Sequence, residues 1–167
     1  MLIKHFIKHT YRSVAVVAFG LATSLQVTPA VAKTSGSEHC YSMGGLGNYN
    51  YATDGRSGVA AMAGDFRGGV HFRQIGDFRD VGNGRVEGQF EHMFVTEDGS
   101  TLQTRDKSWG IAVPGTDYIV GGAAYTVVAA TGEFEGYEGT FNSWGTFAPS
   151  KGQAILRYEG KICRATK

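Results

Sequence analysis

In the run QFEHMFV, residues 89–95, a histidine stands between two phenylalanines. In a strand successive side chains alternate, so Phe90, His92 and Phe94 share one face. That sets a ring able to exchange protons near neutral pH in apolar company. The pair Asp98-Gly99 downstream is a hairpin signal, because a two-residue type I′ turn needs positive φ at both central residues. A turn there pairs Val95 with Leu102, Met93 with Thr104 and His92 with Arg105, and puts Glu91 and Asp106 on the opposite face. Inside a cavity, His92 is a candidate proton donor or acceptor, and Arg105 a candidate for steadying a developing negative charge. The competing reading is an outer face with two solvated cations, since a single bulge exchanges inside for outside.

The next turn signal, Asn83-Gly84, sets Asp80 opposite Glu87 if the register runs on unbroken. Like charges directly opposed are unfavourable, so either a bulge shifts the pairing or both carboxylates stand at a wet end. With Asp77 and Asp65 nearby in sequence a calcium site is conceivable, but no loop of fixed spacing supports it and a solvated edge is the favoured reading. His39 and His71 lack metal-ligand spacing, and no metal or cofactor is expected. Ser57, Ser108 and Ser143 have no nucleophile-elbow context, which leaves covalent catalysis unsupported. Trp109, Trp144, Tyr125 and Tyr158 offer large rings on extended segments. Such rings are core more often than ligand contacts, but in a barrel lumen the two roles merge. Phe90, Phe94, Tyr125 and Tyr158 are therefore the candidates for lining a lumen.

The elements that must position these side chains are short. From Lys33 onward, runs rich in Val, Ile, Thr, Tyr and Phe alternate with glycine and turn pairs, which reads as all-β. Strands are expected at about 68–82, 85–97, 100–113, 119–130, 138–147 and 152–163, with a weaker one near 56–64. The glycine- and asparagine-rich segment Ser42–Gly55 reads as loop. Neighbours joined by tight turns favour a single closed antiparallel barrel of about eight strands, which leaves no exposed sheet edge.

Ahead of that domain, Lys4, Lys8 and Arg12 precede an apolar stretch from Val14 to Leu25, and Ala30-Val31-Ala32 supplies small residues for cleavage. This is the pattern of a secretory signal peptide over residues 1–32, too short in its apolar part for a membrane span. Residues 33–167 then form the exported domain, periplasmic or extracellular. The whole chain carries 16 basic and 15 acidic residues, and cleavage leaves thirteen against fifteen. A near-neutral surface without basic runs argues against nucleic acid or anionic membrane as partners. Cys40 and Cys163 meet oxidising conditions after export, and two such cysteines pair more often than they stay free.

The segment YTVVAATGEFEGYEG, residues 125–139, has three glycines, Gly132, Gly136 and Gly139, around Phe134. No Gly-Lys-Ser/Thr follows, so the glycines suit a corner between strands better than a phosphate cradle, with Phe134 as a plug at the barrel end. The segment resembles a stretch of the allene oxide cyclase barrel-like superfamily, which includes plant dirigent proteins, of the form Y-x-V-x-G-G-T-G-x-F-x-G-A-x-G. Ala129-Ala130 stands where those proteins have Gly-Gly, and Tyr137 where they have a small residue. AILRYEGKIC, residues 154–163, is similar to their last strand. The resemblance implies an eight-stranded antiparallel barrel, often with an apolar cavity, and in some members cofactor-free cyclisation or steering of coupling. The expected function is a barrel that binds a small apolar molecule in its lumen. The alternatives are a cofactor-independent cyclase or isomerase, and a packed structural or interaction barrel.

Overall fold

Glycine-centred turns divide the chain into eight extended runs, and every run pairs with its neighbours in sequence. A computed structural model describes residues 39–164. The charged, apolar and small-residue segments of 1–32, with the cleavage position after Ala32, lie outside the described residues. The strands are β1 (Cys40–Tyr51), β2 (Ser57–Gly64), β3 (Gly68–Gly82), β4 (Arg85–Thr96), β5 (Thr101–Ala112), β6 (Ile119–Ala130), β7 (Tyr137–Ala148) and β8 (Gln153–Arg164). They run antiparallel in chain order and close into a barrel through β1 and β8. No helix among the described residues is long and apolar enough to cross a membrane.

The strand bounds read from sequence hold to within a residue or so, with one exception. The segment Ser42–Gly55, expected as loop, supplies most of β1. Its alternation is hidden because the inward positions between Met43 and Tyr49 are glycines. These are needed by neighbouring rings: a Cβ on Gly47 would stand 2.6 Å from Tyr49, and one on Gly58 of β2 equally close to Phe72.

The seam between β1 and β8 sets Cys40 directly opposite Cys163, and the two form the disulfide. At the same end, Gly132, which opens the short 3₁₀ turn Gly132–Phe134, and Gly136, two residues beyond it, take φ of 64° and 80°. That geometry reverses the chain from β6 into β7 and drops Phe134, fully buried, onto Phe66 and Tyr41. Gly139, on the first part of β7, has φ of 129°. The core is the barrel interior, filled from this end by Met43, Phe66, Leu102 and Ile162 and further in by Phe72, Phe94, Tyr125 and Phe141.

The two hairpins that fix the register of β4 differ. Asn83-Gly84 is a two-residue turn with φ of 56° and 71°, flanked by the pair Gly82 and Arg85. Bulges in β3 then replace the expected opposition of Asp80 and Glu87, and Arg79 faces Glu87 instead. The guanidinium groups of Arg85 and Arg79, each 3.2 Å from that carboxylate, hold Glu87 below the usual carboxylate range. Asp77 meets Arg56 and Asp80 accepts from the Gly82 amide, so neither converges with Asp65, which lies between β2 and β3.

The β4–β5 connection is one residue longer than a type I′ turn. Thr96 N–H donates to Ser100 O and Gly99 N–H to Thr96 O, each at 3.0 Å, with only Gly99 of the loop at positive φ. Asp98 is held inside this loop by the hydroxyls of Thr96 and Ser100. The register therefore moves by one: His92 faces Thr104, Glu91 faces Arg105, and Phe90 faces Asp106.

Candidate functional site

That one-residue shift turns the whole of β5 over. Arg105, expected beside His92, points out of the barrel and lies 3.4 Å from Glu91. Asp106, expected on the opposite face, points in with a side chain of zero exposure. The Arg105 half of the proposed pair is thus on the wrong side of the wall, and the group beside His92 is a carboxylate.

His92 lies within the lumen. Phe72 and Phe94 stack on its ring at 5.5 and 5.8 Å, and Tyr125 meets it edge-on at 5.1 Å. Its Nδ1 is hydrogen-bonded to Oδ2 of Asp106, a carboxylate being the acceptor and Nδ1–H the donor, and Nε2 has no hydrogen-bond partner among the described residues. In the neutral imidazole a donor commitment at Nδ1 leaves Nε2 as the acceptor.

The inner face of β5 reads Leu102, Thr104, Asp106, Ser108, Gly110. Three polar atoms on it, Thr104 Oγ1, Asp106 Oδ1 and Ser108 Oγ, are buried without a partner among the described residues. Most buried polar groups in folded proteins are paired, so three orphans in a row on one strand face need a reason. Across the lumen the Tyr125 hydroxyl lies 3.0 Å from Ser143 Oγ. Burial pushes the Tyr125 phenol up to about 12, with the nearby Asp106 charge adding to it. Burial and the neighbouring Tyr125 raise the Tyr49 phenol as well.

Of the other sequence candidates, Phe90, Phe94, Tyr125 and Tyr158 are all buried. Phe90 and Phe94 flank His92, but Tyr158 serves another region, donating to Ala63 O and Phe66 O. Trp109 and Trp144 lie outside, under the guanidinium groups of Arg85 and Arg157. Sequence reading missed Asp106, Thr104, Ser143 and Tyr49 as members of the cluster. The alternation T-x-D-x-S at 104–108 was the available signal, polar residues at every second position between Leu102 and Gly110. Toward the end of the barrel away from the disulfide, the inner wall turns small at Ser108, Gly110, Ala123 and Gly145, walled by Tyr51, Phe90 and Phe147. Ser108 and Ala123 are only half-buried there. Among the described residues, concavities of about 290, 760 and 440 Å³ indent the surface; the first is bordered by His92 and Thr104, and none of the three is lined by Asp106, Tyr125 or Ser143. Among the described residues no three His, Cys, Asp or Glu side chains converge as a metal site would require.

Compared with protein-family models, curated proteins and solved structures, the chain matches none of them.

Proposed function

We propose that this is an exported barrel that takes a small molecule at its small-residue end and holds it by the inner face of β5. One observation carries the reading: a fully buried carboxylate, Asp106, with one oxygen unpartnered, between two equally unpartnered hydroxyls, Thr104 and Ser108. In a barrel that serves only as a packed body, apolar residues at these positions would be more stable, since an unsatisfied buried polar atom costs about 1–3 kcal/mol. The same feature refines the chemistry of the ligand. An acceptor oxygen and two hydroxyls suit an apolar body carrying a hydrogen-bond donor, such as a hydroxyl or amine, rather than a hydrocarbon. Ser108 is the half-buried member of the strip, so an entering molecule meets it first.

Acid–base chemistry is the second reading, and the Nδ1 contact with Asp106 favours it. Such an orienting carboxylate leaves Nε2 free to accept a proton from a bound donor, the arrangement a cofactor-free isomerase or cyclase requires. Membership of the allene oxide cyclase barrel-like superfamily belongs to the same proposal. The closed eight-stranded antiparallel barrel and the burial of Phe134 beside Gly132 support it.

Native and denaturing mass spectrometry of the protein exported from its own host tests the binding reading. The expected result is a small molecule carried in the native spectrum of the wild type and lost from the joint variant His92→Phe, Asp106→Leu. A bare native mass for both, with no thermal shift from donor-bearing aromatic probes such as phenol, would overturn it. A bound molecule chemically altered by wild type but not by His92→Phe alone selects the catalytic reading.

A further inference from the structure

The outward face of the same strands carries a second cluster. Arg73 on β3, Glu91 on β4 and Arg105 on β5 stand side by side, because Glu91 pairs with both of the others. Arg73 donates through Nε and Nη2 to one oxygen of Glu91, at 2.9 and 2.7 Å. Arg105 Nε lies 3.4 Å from the other oxygen. One carboxylate therefore orients two guanidinium groups and balances only one of their charges. Nη1 of Arg73 and both Nη groups of Arg105 meet no acceptor among the described residues.

These free donors border a concavity of about 290 Å³ that also takes in His71, Gln103 and Val128 and is floored by the strand segments of His92 and Thr104. A bulge builds one wall of it. Gln103 pairs with Ala129 but Thr104 with Val127, so Val128 is the extra residue and stands out from the sheet. A concave site, fork-shaped donors and an uncompensated positive charge suit an oxyanion, because guanidinium groups match such oxygens with paired hydrogen bonds.

We propose that this groove is a binding site for a tetrahedral oxyanion, a phosphate or sulfate group of a small solute, held between Arg73 and Arg105. It uses different side chains from the lumen site, since Arg105 and Asp106 lie on opposite faces of β5, although the strand positions His92 and Thr104 border both. Residues 33–167 as a whole carry a small excess of acidic groups, so attraction here is local rather than a property of the entire surface.

The test is titration of inorganic phosphate, sulfate and chloride into the exported protein at low ionic strength and fixed pH, followed by the backbone amide signals of Gln103 and Val128. A saturable shift with phosphate is expected, weakened about 10- to 100-fold in Arg73→Gln and in Arg105→Gln, as loss of charge-assisted hydrogen bonds predicts. Equal response to sulfate assigns the site to tetrahedral dianions generally, and response to phosphate alone assigns it to phosphoryl groups. Non-saturating shifts, equal response to chloride, or unchanged affinity in both variants would overturn the proposal. Both arginines are surface residues, so the variants are expected to unfold at the wild-type temperature, and that is checked alongside. Ser108→Ala, a lumen change outside this groove, is expected to leave the phosphate response intact, which separates this site from the lumen.

Discussion

Phe66, Phe134, Leu102 and Ile162 at the disulfide end are fully buried and bring no side-chain polar atom with them. A short way along the same lumen, Asp106 is as deeply buried and brings a carboxylate with one oxygen unpartnered. The two regions share one barrel, one set of strands and comparable burial, yet they contribute to the fold with opposite sign. The apolar end gains from removing carbon surface from water, and closing the β1–β8 seam with a disulfide adds to that. The polar level loses hydration that its contacts only partly restore. A protein keeps such a level where something other than stability depends on it.

The largest effects should come from the sealed end. Cys40→Ser with Cys163→Ser opens a crosslink spanning 123 residues of sequence. The expected loss is about 4 kcal/mol, read as a lower denaturation midpoint in urea. Phe134→Ala should follow with about 3–4 kcal/mol, since it leaves a cavity beneath Tyr41 and Phe66. A loss under about 1 kcal/mol for Phe134→Ala would mean that this end is not the stabilising one.

At the polar level the sign depends on how many partners are removed. Asp106→Ala leaves His92 Nδ1 buried without its acceptor and should cost about 3 kcal/mol. Replacing both partners with apolar side chains, His92→Phe with Asp106→Leu, should instead raise stability by about 1–4 kcal/mol. If the joint variant is less stable than the wild type, the contrast between the two regions breaks down and the pair is part of the framework.

Alkaline pH probes the same lumen without mutation. A phenol whose folded pKa is raised binds its proton more tightly in the folded state. Its contribution is complete below about 10, the value in the unfolded chain. It is then lost as pH rises toward the folded value, about 12 for Tyr125. Absorbance titration of the phenolate band should show Tyr49 and Tyr125 silent until the barrel unfolds. Early ionisation of Tyr125 would mean that water already reaches the cluster.

The contrast between the two ends also separates what could be read from the sequence from what could not. The sealed end was legible because its parts are local: glycines around Phe134, a cysteine near each end of the domain, and apolar alternation in β8. The interior neighbours of His92 depended on one residue in the β4–β5 loop. Asp-Gly suits a two-residue turn and also a three-residue loop with glycine at the last position, and the two differ by one step of register. The choice lies with Asp98, whose carboxylate is tied down by Thr96 and Ser100 and thereby held below the usual range. In the longer loop the inward residue is Asp106 in place of Arg105, and a candidate pair of like-charged groups becomes a carboxylate bonded to an imidazole. The alternation T-x-D-x-S could have placed Thr104, Asp106 and Ser108 on one face, but not their lack of partners, which is defined by what three-dimensional packing fails to bring near.

The finest discrimination comes from those orphans. Thr104→Val keeps the shape of a side chain that is almost wholly buried while removing a hydroxyl that has no partner among the described residues. Ser108→Ala does the same at the half-buried edge of the strip. Deleting a satisfied hydroxyl would lower stability by about 1 kcal/mol, whereas deleting an orphan relieves its desolvation and should raise stability by a similar amount. The two substitutions are therefore expected to shift the urea midpoint upward at constant m-value, Thr104→Val more than Ser108→Ala because Thr104 is the more deeply buried. A fall for Thr104→Val would show that its hydroxyl is hydrogen-bonded in solution, by water or by a rotated neighbour. The number of unpaired groups offered to a ligand would then shrink to Asp106 and Ser108. A rise for both, accompanied by weaker retention of the small molecule in the native mass spectrum, would tie the instability of this level to the function proposed for it.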